Sequence, residues 1–352
     1  MVPSRSWSSV WGVAVSAALT VAGVDALLGR VSPRRALPEV EEALREFRRS
    51  DPHQVVLGSS HARTFDTVAR ELARRTSGAQ TLLAVPLEYG KLTGYNWVLQ
   101  RRLRPLIEEQ GPAGRLVRSN LARFVLVTEW WDSCAAEDEQ PAANLPSRAW
   151  ELPDFLVDVA GNGLTPYNRN YLSTRWRRLW HGSVLVQDRT THSRLRHDIR
   201  TALGGRNLKA ERASERRLTE RWQASVEAGD RCLFDADQMA ALEEILNFVQ
   251  GRGLEVTLLL YPRRPGTLTE KARAATLARF SGVMEELARS RGIRFLDLTL
   301  GGPLLDEDFS DDFDHLTAEG NRKFTDWALE HDLGYLTQPA RPALTRRAGA
   351  AP

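Results

Sequence analysis

Apolar and polar positions along this chain switch between two periods. In LPEVEEALREFRRSD (37–51), Val40, Leu44 and Phe47 recur at helical spacing and predict a short amphipathic helix. Short apolar runs then alternate with helical patterns. QVVLG (54–58) predicts a buried strand, 62–75 a helix and TLLAV (81–85) a second strand. A longer helical stretch over about 92–109 ends near Gly111, and RFVLVT (123–128) predicts a third strand. Further on, Asp237 is a candidate cap for a helix carrying Leu242, Ile245, Leu246 and Val249 on one face and stopping at Gly251. LEVTLLLYP (254–262) is almost continuously apolar, as expected of a strand buried on both faces. A helix over about 269–290, a strand at IRFLDLT (293–299) and a last helix over about 317–331 complete the series.

Strands alternating with helices of this length predict parallel βαβ units. The expected fold class is α/β: three α/β/α layers around a five-stranded, mainly parallel sheet. Sites in such sheets form beyond the carboxyl ends of the strands. VVLGSSHART (55–64) lies at one such end. Ser59 and Ser60 there either cap the following helix or hold out a nucleophile.

Residues 132–234 break the alternation and read as an insertion between the third and fourth strands. Asn168–Arg221 holds 14 Lys/Arg against 5 Asp/Glu. In YNRNYLSTRWRRLW (167–180), Tyr167, Tyr171, Leu172, Trp176, Leu179 and Trp180 share one helical face. A basic helix with such a face lies on an anionic membrane, lines a cleft for an anionic polymer, or packs its aromatics on the main domain. The expected division is thus 1–35, 36–131, 132–234, 235–335 and a Pro-, Arg- and Ala-rich tail over 336–352, read as disordered.

Ser9–Leu28 has one charged residue, Asp25. Twenty helical residues span about 30 Å, one bilayer core, so the segment reads as an uncleaved anchor; a buried soluble helix is the alternative. Arg30, Arg34 and Arg35 follow it and only Arg5 precedes it, so charge alone favours a cytoplasmic main domain. The 352 residues carry a net charge of +3, which implies no global electrostatic partner and no nucleic acid. The two cysteines, Cys134 and Cys232, match no metal-binding spacing, and they can pair only if the domain is exported. The acidic run 306–314 lacks the glycine and closing glutamate of a calcium loop, and no dinucleotide or Walker-type glycine motif occurs; no metal and no cofactor is expected.

A serine nucleophile needs a base oriented by an acid. His315 lies in SDDFDHLTAEG, before the last helix, with Asp312 three residues earlier. Gly58-Ser59-Ser60 at the end of the first strand and Asp312-Phe313-Asp314-His315-Leu316 before the last helix resemble the first and last blocks of the SGNH (GDSL-like) hydrolases and acyltransferases. With the N-terminal anchor, the chain is similar to membrane-anchored members such as the D-alanyl-lipoteichoic acid transfer and alginate O-acetylation proteins. The likeness covers about 53–131 and 235–332.

The resemblance implies a flavodoxin-like SGNH fold and an extracytoplasmic domain, against the arginine count. It also implies a Ser60–His315–Asp312 triad acting on acyl esters, acetyl above all, of a cell-envelope glycan. It admits a membrane-bound acyltransferase partner. The alternative is a non-catalytic SGNH-like scaffold. The family's second-block glycine is replaced by Val85-Pro86-Leu87, and its third-block asparagine by Thr128, Glu129 and Trp130. Gly90, Gly94, Thr128 and the Ser60 N–H are the candidate oxyanion donors. Ser59, His61, Glu129, Trp130 and Arg263 are candidate substrate contacts, with His61 expected to turn into the following helix and Arg263 and Arg264 to be solvated or to meet an anion.

Overall fold

The computed structural model describes residues 38–87, 90–108, 120–134, 155–156, 159–160, 233–269, 271–299, 302–310 and 315–339. By contacts the chain divides into two units, Met1–Ala36 with Pro141–Lys209, and Leu37–Gln140 with Ala210–Pro352. The described residues of the first unit are two helical pairs at 155–156 and 159–160. The anchor segment Ser9–Leu28 and the aromatic face around Trp176 lie outside the described residues. Among those described, no helix is long and apolar enough to cross a membrane.

The second unit is an α/β fold. Helix α1 (Pro38–Ser50) leads into β1 (Gln54–Gly58), a one-turn 3-10 helix (Ser60–Thr64) and α2 (Phe65–Arg75). Strand β2 (Leu82–Pro86) follows, then α3 (Leu92–Val98), which continues through a π turn (Leu99–Leu103) to Arg104–Ile107. After β3 (Arg123–Thr128) come α4 (Ala236–Gly251), β4 (Glu255–Leu260), α5 (Lys271–Arg291), β5 (Arg294–Asp297) and α6 (Ala318–Glu330). All four strand pairings are parallel, in the order β2-β1-β3-β4-β5. This is the doubly wound order 2-1-3-4-5, in which the crossovers reverse direction between β1 and β3.

Apolar side chains fill both faces. On one, Val56, Val125, Val127 and Leu259 meet Phe65, Val68 and Leu72 of α2 and Phe324 and Ala328 of α6. Helix α4 turns Leu242, Ile245, Leu246 and Val249 inward and packs on α3 and β4. Strands β1, β3 and most of β4 are near-continuous apolar runs because neither face meets water, whereas the edge strand β5 is partly exposed.

Several boundaries differ from the pattern-based expectation. Asp235, not Asp237, caps α4, accepting from the N–H groups of Asp237 and Gln238 at 3.2 Å. The helix after β1 begins as the 3-10 turn, because Ser59 caps that turn ahead of Phe65. The expected tail starts too early. Gly334–Thr337 form a further 3-10 turn with Leu336 fully buried, and Gln54 Nε2 donates to its carbonyl at 2.8 Å. Gln338 O accepts from buried Arg123 at 2.7 Å.

Gly58 has a steric reason to be glycine. A Cβ there would stand 2.8 Å from Val127 O and 2.9 Å from Val127 Cβ, so β1 could not approach β3 at its carboxyl end. Gly58→Ala is expected to destabilise the fold by about 1–3 kcal/mol, the usual cost of overpacking, read as a lower urea midpoint with an unchanged slope.

Candidate functional site

The parallel sheet brings four loop starts to one edge. Ser59-Ser60 follow β1, Glu129-Trp130 follow β3, Tyr261 to Arg263 follow β4, and His315 lies between β5 and α6. The β1/β3 reversal is where an open α/β sheet leaves a crevice.

Ser60 Oγ lies 2.7 Å from His315 Nε2, across 255 residues of chain. Both side chains are partly buried. His315 is fixed by a pinched loop. Phe309 and Leu316 form an antiparallel bridge, the Ser310 N–H donates to His315 O at 2.7 Å, and the Thr317 N–H to Asp308 O at 2.8 Å. Thr317 then caps α6, accepting from Gly320 N–H at 3.0 Å. The buried Asp308 carboxylate accepts from Lys323 Nζ at 2.7 Å and Leu305 N–H at 2.9 Å. Burial opposes its ionisation, but those donors outweigh burial and hold the carboxyl below its usual range. Gly320 allows α6 to sit this close, since a Cβ there would overlap the Asp308 carbonyl. Asp312, the expected orienting acid, lies outside the described residues.

Ser59 is the cap of the turn. Its Oγ accepts from His61 N–H at 3.4 Å and lies 3.1 Å from His61 Nδ1. Glu129 Oε1 lies 3.4 Å from the same nitrogen. A carboxylate only accepts, so this contact favours the tautomer with the proton on Nδ1. Ser59 and Glu129 thus share one ring nitrogen, and no proton can pass from Ser59 through the ring to the acid. Ser59-His61-Glu129 is not a second triad.

His61 does not turn away into the helix. It is buried, stacked on Tyr261 with ring centroids 4.1 Å apart, and 4.9 Å from the ring of His315. The Tyr261 hydroxyl bonds Thr64 Oγ1 at 2.7 Å. Arg263 is not solvated either: it is buried and ion-paired with Glu129. Arg264 faces Asp306 at 3.9 Å. Trp130 is buried edge-on to Trp131. Of the candidate substrate contacts, then, Ser59, His61, Glu129 and Arg263 form one internally bonded cluster beside the Ser60–His315 pair.

The oxyanion candidates divide. The Gly90 N–H already donates to Leu87 O at 2.8 Å, and Gly90 O accepts from the Tyr95 hydroxyl at 3.2 Å. Gly94 is a position inside α3 whose missing side chain admits Leu87. Thr128 is buried, and its Oγ1 has no hydrogen-bond partner among the described residues. The Ser60 N–H opens the 3-10 turn.

Sequence reasoning missed Asp132, Tyr95, Lys91, Asp308 and Tyr261. Asp132 Oδ2 accepts from Glu129 N–H at 3.1 Å, closing the turn Trp130–Ser133. Burial pushes its carboxyl well above the usual range, against the nearby Tyr95 hydroxyl and Lys91 ammonium, which pull it down. Burial also raises Tyr95, with Asp132 adding to the effect. Lys91 Nζ donates to Cys134 O at 2.9 Å and lies over the Trp131 ring. Cys134 is buried and disulfide-bonded. The chain has one other cysteine, Cys232, which lies outside the described residues. Among the described residues no cluster of His, Cys, Asp or Glu is arranged to hold a metal ion.

The sequence matches no family model and no curated protein.

Asp132 yields a signed pH prediction. Its folded pKa lies above its unfolded one, so the folded chain keeps a proton that the unfolded chain releases above about pH 4. Its contribution is therefore most favourable below pH 4 and declines as pH rises toward the folded value. Asp132→Asn keeps the shape without the titration. Its stability relative to wild type should grow from pH 4 to pH 8 by up to about 1.4 kcal/mol per pH unit, read by urea unfolding at each pH. A constant difference would show that Asp132 is ionised in the fold.

Proposed function

We propose that this chain is an SGNH-type serine esterase or O-acyltransferase with Ser60 as nucleophile and His315 as base. The observation that carries the reading is the 2.7 Å approach of Ser60 Oγ to His315 Nε2. A hydroxyl becomes nucleophilic near neutral pH when a neutral imidazole can take its proton. In this reading Ser60 Oγ attacks an ester carbonyl as its proton passes to His315 Nε2. The tetrahedral oxyanion takes a hydrogen bond from the Ser60 N–H. The imidazolium then protonates the departing alcohol, leaving an acyl-Ser60 ester. Water, deprotonated by His315, releases the acid; a sugar hydroxyl in its place accepts the acyl group. Asp312 is the orienting acid assigned from the sequence.

The finer architecture belongs to the same proposal: a flavodoxin-like SGNH domain, an N-terminal anchor and a mostly helical insertion. The resemblance of the two blocks supports acetyl, or another small acyl group on a cell-envelope glycan, as substrate, and leaves room for a membrane-bound acyltransferase partner. The disulfide at Cys134 supports an extracytoplasmic domain, since disulfides persist in oxidising compartments. A second reading, a non-catalytic scaffold of an envelope assembly, draws on the Gly90 N–H, which is already engaged by Leu87 O and so is not free to serve as the second-block donor.

Ser60→Ala is expected to abolish fluorophosphonate labelling and to lower ester turnover by about 10⁴-fold or more. Unchanged labelling refutes the nucleophile, and full complementation of a deletion by Ser60→Ala selects the scaffold. A non-reducing peptide map of the exported chain should yield a Cys134–Cys232 cross-linked peptide. A C-terminal reporter fusion active only in the cytoplasm would overturn the assignment of compartment.

A further inference from the structure

His61 stands at the centre of a charged array next to the base. Its ring lies between Tyr261, at 4.1 Å and 20° interplanar, and His315, at 4.9 Å and 37°. Its Nδ1 faces Ser59 and Glu129. The other carboxylate oxygen of Glu129 is bound by Arg263. The three side chains are 2% (His61), 12% (Glu129) and 5% (Arg263) exposed, so solvent screens little of this. Among the described residues, the titratable and charged groups around His61 include Glu129 from the end of β3, Tyr261 and Arg263 from the end of β4, and His315 from the loop before α6. Tyr95 lies on the Ser59 side, with Asp132 and Lys91 behind it.

The charges in this array decide what His315 can do. Arg263 offsets the charge of Glu129, so that carboxylate does not call for a proton on His61. Without Arg263, the Glu129 carboxylate would be balanced most directly by a proton on His61. Two imidazolium rings 4.9 Å apart then repel. At an effective dielectric of about 20, that repulsion amounts to about two decades in an equilibrium constant. His315 must become an imidazolium when it takes the Ser60 proton, and a charged His61 would oppose that step.

We propose that Arg263 is a positioning residue that binds the Glu129 charge and so keeps His61 neutral, with its proton on Nδ1, beside the base. The inference rests on the Ser60–His315 reading above and assigns the Glu129–Arg263 pair a task in that chemistry.

Two readouts test it on the full chain. In ¹⁵N-histidine spectra, wild-type His61 is expected to remain the neutral Nδ1–H tautomer from pH 6 to 8, while in Arg263→Gln it gains a proton across that interval. In ester turnover, Arg263→Gln is expected to approach wild-type kcat/KM near pH 9 and to fall about 10- to 100-fold below it near pH 6. Glu129→Gln/Arg263→Gln, which restores an uncharged array, should regain most of the loss, as should Arg263→Lys. A wild-type His61 already protonated at pH 7 overturns the proposal even if no variant folds. So does a double variant as impaired at pH 6 as Arg263→Gln. The spectra read His61 without catalysis, so failure here is distinct from failure of the nucleophile, which Ser60→Ala reports.

Discussion

The parallel run of all five strands is the constraint on which the site depends. Parallel strands end at the same edge, so residues distant in sequence leave the sheet side by side. β1 delivers Ser59 and Ser60, β3 delivers Glu129, β4 delivers Tyr261 and Arg263, and β5 leads to the loop of His315. Close approach of β1 and β3 requires that Gly58 lack a side chain, because Val127 occupies that space. The glycine before the two serines is thus a packing residue of the sheet that also sets where the serines emerge. The same economy appears at Gly320, where α6 meets the Asp308 carbonyl and fixes the loop carrying His315.

Burial of charge shapes the remainder of the edge. Glu129 and Arg263 leave water together, and a pair of that kind is tolerated when its remaining hydrogen-bonding capacity is satisfied. Asp132 has no ion pair of that kind among the described residues, and burial pushes its carboxyl well above the usual range. The two acids lie three residues apart on one turn and meet different surroundings. One meets a guanidinium; the other faces a phenol and a more distant ammonium. A single short turn thus places an ion-paired acid beside His61 and a buried acid with a raised pKa near Tyr95.

Much of the sheet was legible in the sequence, because strands buried on both faces are near-continuous apolar runs. QVVLG and RFVLVT fall within the observed strand bounds residue for residue. Ser60 and His315 were legible as a pair because each stands at the end of a strand–helix transition in an alternating chain. What pattern could not supply was the interior of the site. Arg263 follows two apolar residues and a proline, and nothing local distinguishes a buried, paired arginine from a solvated one. His61 sits at a helix start, where periodicity would turn it inward; the 3-10 turn capped by Ser59 instead rotates it onto Tyr261. Asp235 and Asp237 are both plausible caps, and it is Asp235 that takes the non-helical cap conformation, with ψ of 136°.

The choice between the two serines is the last step, and it is geometric. Both hydroxyls lie near an imidazole, and both imidazoles lie near each other. Ser59 is buried, and the ring nitrogen it faces, Nδ1 of His61, is the same one that Glu129 approaches. Serine and acid on one nitrogen do not form the relay of a triad, which uses both ring nitrogens. Ser60 stands one residue further, partly open, and faces the Nε2 of a ring that approaches from the opposite end of the chain. One serine therefore closes the turn that the other needs in order to point outward. In the proposed reading the doublet divides its labour: Ser59 caps the turn, and Ser60, held against His315, is the nucleophile.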